Sequence, residues 1–191
     1  MGIYSLVDKR ASRALDQIVQ PFESILPIVS QEGRTVVLDG SRYGFPHVKA
    51  YHKLVNKWMG RIYLYTWEYT LPGISHESDI GIKLQYRGSM RTGSKPSFSL
   101  ITGDTTLDQM LNQDEALLKL CSQMDFQRME IQYKKSTNEW NVQIAPNYGD
   151  FMWVLIPPVS YSRKPNADEV NNTIQTLRII AEYIQTMGSP Q

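Results

Sequence analysis

Hydrophobic residues return along this chain with two different periods, and the switch between them divides it into helical and extended segments. From Ser5 to Gln20, Leu6, Val7, Ala11, Ala14, Leu15, Ile18 and Val19 recur every three or four positions, while Asp8, Lys9, Arg13, Asp16 and Gln17 take the other side. This predicts an amphipathic helix with Ser5 as N-cap and Pro21 as stop, then a loop from Pro27 to Gly33. Arg34 to Asp39 is a short β-branched strand, and Asp39-Gly40 predicts a hairpin turn into Tyr43 and Phe45. His47 to Met59 fits either period, and the alternation of Val48, Ala50, His52 and Leu54 favours a strand.

The two-residue period is clearest from Arg61 to Leu71. Tyr63, Tyr65, Trp67, Tyr69 and Leu71 share one face, and Ile62, Leu64, Thr66 and Glu68 the other. Beyond Pro72-Gly73 and a polar loop, Ile80, Ile82, Leu84 and Tyr86 alternate with Gly81, Lys83, Gln85 and Arg87, a second strand expected to neighbour the first. Gly88 to Lys95 is a polar, basic loop before a strand around Phe98 and Leu100. Leu107 to Met124 holds one helix or two short ones, with an N-terminus near Asn112 favoured by Asp114 and Glu115.

Met129, Ile131 and Tyr133, then Trp140, Val142 and Ile144, form the arms of a hairpin turning at Lys134 to Asn138. Phe151 to Ile156 is apolar without alternation, the pattern of a central strand covered on both faces and ended by Pro157-Pro158. A last helix begins at Pro165 or Asn166, puts Val170, Ile174, Leu177, Ala181 and Ile184 in one stripe, and stops at Gly188. The order predicts an α+β fold over residues 1–191 as a single domain. Its strands are mainly antiparallel, in one sheet or two abutting sheets, with N-terminal, middle and C-terminal helices packed against them.

Composition narrows the partners. With 191 residues and 41% hydrophobic positions the chain can bury a core without metal or disulfide staples. Twenty Lys and Arg against 19 Asp and Glu leave no global field, which disfavours nucleic acid and anionic membranes as partners. The single cysteine, Cys121, excludes an intramolecular disulfide and points to a reducing, cytoplasmic setting. Charges at Asp8, Lys9, Arg10 and Arg13 interrupt any secretion signal, and no apolar run approaches the roughly 20 residues of a membrane span.

Candidate chemistry is sparse. The rings of Tyr63, Tyr65, Trp67 and Tyr69 form either an open platform for a planar ligand or core beneath a helix, the commoner fate of such a face. His47, His52 and His76 show no metal-ligand spacing, and neither metal nor cofactor is expected. His76-Glu77-Ser78-Asp79 sets a base and two carboxylates in one loop, suited to acid–base work or to a solvated turn. Cys121 lies among Leu117, Leu118 and Leu120, as an inert thiol would. Tyr161-Ser162-Arg163-Lys164 and the segment with Arg87, Arg91 and Lys95 are local basic spots. Nucleophile-elbow, Walker, dinucleotide and His-Glu-x-x-His motifs are absent.

The leading expectation is a non-catalytic cytoplasmic interaction or ligand-binding module using the aromatic face, with a protein partner or a second copy of itself. One alternative is a small metal-dependent hydrolase built on His76, Glu77 and Asp79. Another is a binder of single-stranded nucleic acid, with Arg42, Arg61 or Arg87 flanking exposed rings.

Overall fold

The structure, a computed structural model, describes residues 3–88, 94–155 and 159–187. Helix α1 (Ile3–Val19) buries Val7, Ala11, Leu15, Ile18 and Val19, and a 3-10 turn, Gln20–Phe22, follows it around Pro21. Ser5 lies inside this helix and not at its cap. Asp8 ties the helix to the sheet: its Oδ1 accepts from Tyr63 Oη at 2.6 Å and from Arg61 Nη1 at 3.1 Å.

Among the described residues ten strands make one sheet in which every pairing is antiparallel. They are β1 (Ile28–Glu32), β2 (Thr35–Asp39), β3 (His47–Lys57), β4 (Gly60–Pro72), β5 (Ile80–Arg87), β6 (Lys95–Thr102), β7 (Arg128–Lys134), β8 (Glu139–Ala145), β9 (Phe151–Val154) and β10 (Val159–Ser162). Their order is β1-β2-β3-β4-β8-β7-β5-β6, with β9 beside the first residues of β4 and β10 beyond β9. The α+β class and the mainly antiparallel sheet with helices at the start, middle and end are as the periodicity predicts.

Four local expectations change. The segment expected as a loop forms β1, because Gly33 at φ +57° turns Glu32 against Thr35; β1 is exposed throughout, so burial imprinted no alternation on it. β2 pairs with β1 and β3, while Ser41–Tyr43 makes a 3-10 turn that folds Phe45 onto the Tyr69 ring. β4 and β5 are not neighbours: β3, β8 and β9 flank β4, and β5 lies between β7 and β6. Alternation specifies a face, not a partner. β9 alternates buried and exposed residues and is not covered on both sides, and Ile156 to Pro158 lie outside the described residues.

β8 and β9 read as one strand broken by a wide bulge. Trp67 pairs with Ile144 and Tyr63 with Phe151, so residues 64–66 face residues 145–150. Inside the bulge, Asp150 Oδ1 accepts from Tyr65 N at 2.7 Å, and His52 Nε2 lies 2.8 Å from Gly149 O. Gly149 sits at φ +87° against the Tyr65 ring.

Helices α2 (Leu107–Gln113), α3 (Glu115–Met124) and α4 (Ala167–Met187) complete the layer. Asp114 caps α3 by accepting from Leu117 N at 2.9 Å. Asn166 and Glu169 form a reciprocal capping box before α4. α4 buries Val170, Ile174, Leu177, Ala181 and Ile184, the predicted stripe; Gly188 is outside the described residues. Apart from Thr66, Glu130 and Ala145, the buried strand positions fall on the face these helices share, and among the described residues the opposite face has no helical layer. No described helix is long and apolar enough to cross a membrane.

Candidate functional site

The aromatic row lies under the helices. Tyr63, Tyr65 and Trp67 are 0% exposed and Tyr69 is 2% exposed. Phe22 packs on Trp67 with centroids 4.7 Å apart, and Tyr69 donates its hydroxyl to Leu177 O of α4 at 3.0 Å. The rings expected as a possible ligand platform therefore contact protein and form core, and no flat face among them is open for a base to stack on. Burial drives the Tyr65 and Tyr69 phenols well above their usual range.

Nor do the hydrolase candidates converge. His52 is buried by the bulge at Gly149, His47 begins β3 on the opposite face, and His76 packs edge-on to Tyr133 and Trp140. Asp79 accepts from Lys135 N, and the Glu77 carbonyl from Lys135 Nζ, so this loop braces the β7–β8 turn. Among the described residues no three His, Cys, Asp or Glu side chains gather as a metal site. Cys121 is buried, and burial pushes its thiol up to about 12, far from a nucleophile's range. Of the basic spots, Arg163 forms an ion pair with Glu169, while residues 89–93, including Arg91, are outside the described residues.

The open face carries the chemistry that remains. Cross-strand register places Val55, Ile62, Met152 and Tyr161 side by side across β3, β4, β9 and β10. The next row sets Lys57, Gly60, Val154 and Val159 in line. Met152 is 38% exposed and Tyr161 54%, and the hairpin tip beside them carries Trp58, 96% exposed. That tip is held to β9 by Leu155 N donating to Met59 O at 2.9 Å. Lys49, Lys53 and Lys57 run along the same face of β3. None of them has an ion pair among the described residues.

Further along, this face turns polar and self-satisfied. Glu68 accepts from Tyr51 Oη at 2.8 Å and from Asn141 Nδ2 at 2.7 Å. Glu130 pairs with Arg128 and with Lys83 at 3.2 Å; the Arg128 guanidinium holds its carboxyl below the usual range against the opposing effect of burial. The contrast has a trace in β4 itself: Ile62 and Leu64 interrupt the polar side of an alternating strand, whereas Glu68 and Thr70 keep it polar. That was the one signal pointing to the patch. The pairing of β10 and the position of Trp58 at a tip had none.

No curated protein and no solved structure matches the sequence. A family profile described as a protein of unknown function (DUF3156) matches residues 20–184, and the chain belongs to that family.

Proposed function

We propose that the protein is a non-catalytic cytoplasmic interaction module that docks a partner protein on the helix-free face of its sheet. The observation that carries this reading is the solvent-facing apolar row of half-buried Val55 and Ile62 and exposed Met152 and Tyr161, continuous with exposed Val154, Val159 and Leu155 and flanked by Trp58. Contiguous apolar surface at one end of an otherwise polar sheet marks contact sites, and exposed Trp and Tyr are the residues that dominate binding energy once desolvated. Lys49, Lys53 and Lys57 beside the row call for carboxylates around the partner's apolar centre. The buried aromatic row serves as the rigid support of this face.

The test pairs two outer-face variants, Val55→Lys and Ile62→Lys, with affinity capture from the protein's own cells and mass spectrometry. A partner retained by the unmodified protein and lost from both variants, at unchanged melting temperature, supports docking on this row. Retention of every partner by both variants refutes it.

A further inference from the structure

Among the described residues the sheet ends on three outermost strands, β1, β6 and β10, and they are treated differently. β1 is interrupted by a register shift between Ile28 and Ser30. β6 opens with Lys95-Pro96, and Asn112 of α2 covers its free side by bonding both the N–H and the C=O of Phe98 at 2.8 Å. Bulges, Lys, Pro and covering helices are the usual means of blunting an edge against further pairing. The four residues of β10 carry none of them: among the described residues Val-Ser-Tyr-Ser pairs with β9 alone, and all four are exposed.

The register shows which groups are free. Leu155 N bonds Met59 O, which turns the main chains of Phe151 and Trp153 toward β4 and those of Met152 and Val154 toward β10. Their partners Tyr161 and Val159 bond back to β9, so the N–H and C=O of Ser160 and Ser162 point outward. On the helical side, a groove of about 250 Å³ runs beside this edge between Ser160 and Ser162 and the α1 residues Arg10, Arg13 and Gln17. Arg10, Arg13 and Gln17 share one side of α1 by their spacing. No carboxylate lines the groove, and neither arginine has a partner among the described residues.

We infer that β10 accepts an extended segment of a partner protein as an added strand, and that this segment alternates acidic with apolar side chains. Main-chain bonds to Ser160 and Ser162 supply the attachment, and the alternation follows from the two sides of the strand. Side chains on the α1 side meet Arg10 and Arg13, which calls for Asp or Glu. Side chains on the other side extend the row ending at Tyr161, which calls for Val, Ile or Leu. A second copy of this chain fits worse: two-fold pairing of β10 with itself would bring α1 against α1 on one face and set Arg10 and Arg13 against their own copies. The inference extends the interaction-module reading to an edge that the Val55 row does not require.

The test uses a fluorescent peptide alternating Glu and Val, its counterpart alternating Lys and Val, and a Glu-Val peptide N-methylated at every second residue. Binding is read by anisotropy, and self-association by sedimentation. The full chain should bind the Glu-Val peptide and at least tenfold more weakly its Lys-Val counterpart. N-methylation in the register facing β10 should abolish binding. Ser160→Pro removes only an outward N–H and leaves β9 pairing intact, so it should weaken binding at least tenfold. The pair Arg10→Glu and Arg13→Glu should reverse the preference between the two charged peptides. Ile101→Lys, an exposed position on β6 that belongs to neither surface, should bind the peptide within twofold of the unmodified chain, and peptide binding is read apart from the partner capture that tests the Val55 row. Absence of Glu-Val binding, binding indifferent to Ser160→Pro and N-methylation, or a dimer that Ser160→Pro dissociates would each overturn the inference.

Discussion

At the scale of single residues, the structure assigns opposite environments to side chains of one type. Of the four tryptophans, Trp67, Trp140 and Trp153 are buried and Trp58 projects from a hairpin tip. Acrylamide quenching of the intact protein is therefore expected to act almost entirely on Trp58, and Trp58→Phe should leave blue-shifted, protected emission. Quenching that persists in Trp58→Phe would contradict the burial of the other three. His52 is the residue whose ionisation opposes folding. Burial depresses its pKa more than the Gly149 carbonyl and Asp150 raise it, so the folded chain keeps it neutral. Below about pH 6.5 the unfolded chain binds a proton that the folded chain does not, so stability falls as the pH drops through that value. Urea midpoints at pH 7.5 and pH 5.5 should differ in the unmodified protein, and His52→Gln should reduce the difference.

Among the elements, the bulge between β8 and β9 decides what the open face becomes. Without it β8 would run on in register, and β10 would have no β9 to extend. Its conformation depends on Gly149, where φ is +87° and an added Cβ would lie 2.5 Å from the Tyr65 ring. Gly149→Ala is expected to cost on the order of 2 kcal/mol from backbone strain and ring displacement together, measured by denaturant unfolding. Truncation of Met152 and Tyr161 should instead leave stability nearly unchanged, because those side chains already meet solvent. This bulge was illegible in the sequence: Pro146, Asn147 and Gly149 mark a break between strands, but a break carries no information on whether the chain returns to the same neighbour. The same limit hid the pairing of β10, whose four residues carry no alternation because both of their faces are exposed.

For the molecule as a whole, the two faces of one sheet differ in what they hold. The helical face holds the core cluster with all the buried rings, and the opposite face holds the apolar row, the lysines of β3 and the free edge of β10. Charge density at the α1 groove and along β3 is basic although the chain is nearly neutral, because the compensating carboxylates are placed elsewhere, several of them in ion pairs: Asp8 with Arg61, Glu130 with Arg128 and Glu169 with Arg163. Net charge thus gave no hint of a local field.

What the amino-acid order determined by itself was the set of elements that bury a face, β1 and β10 excepted, and, outside β9, the side each such strand buries. Helical and two-residue periods are imprinted wherever one face meets a core, as in α1, α4, β4 and the β7–β8 hairpin, and the caps at Asp114 and Asn166 add their own signals. Only the tertiary structure decided that helices cover the Tyr63 to Tyr69 row, that β4 and β5 lie apart, and that Trp58, Tyr161 and the β10 edge stay open. The physical reason is that burial pattern is a local record of polarity, whereas strand order and the placement of helices depend on contacts between residues far apart in sequence, which no local period encodes.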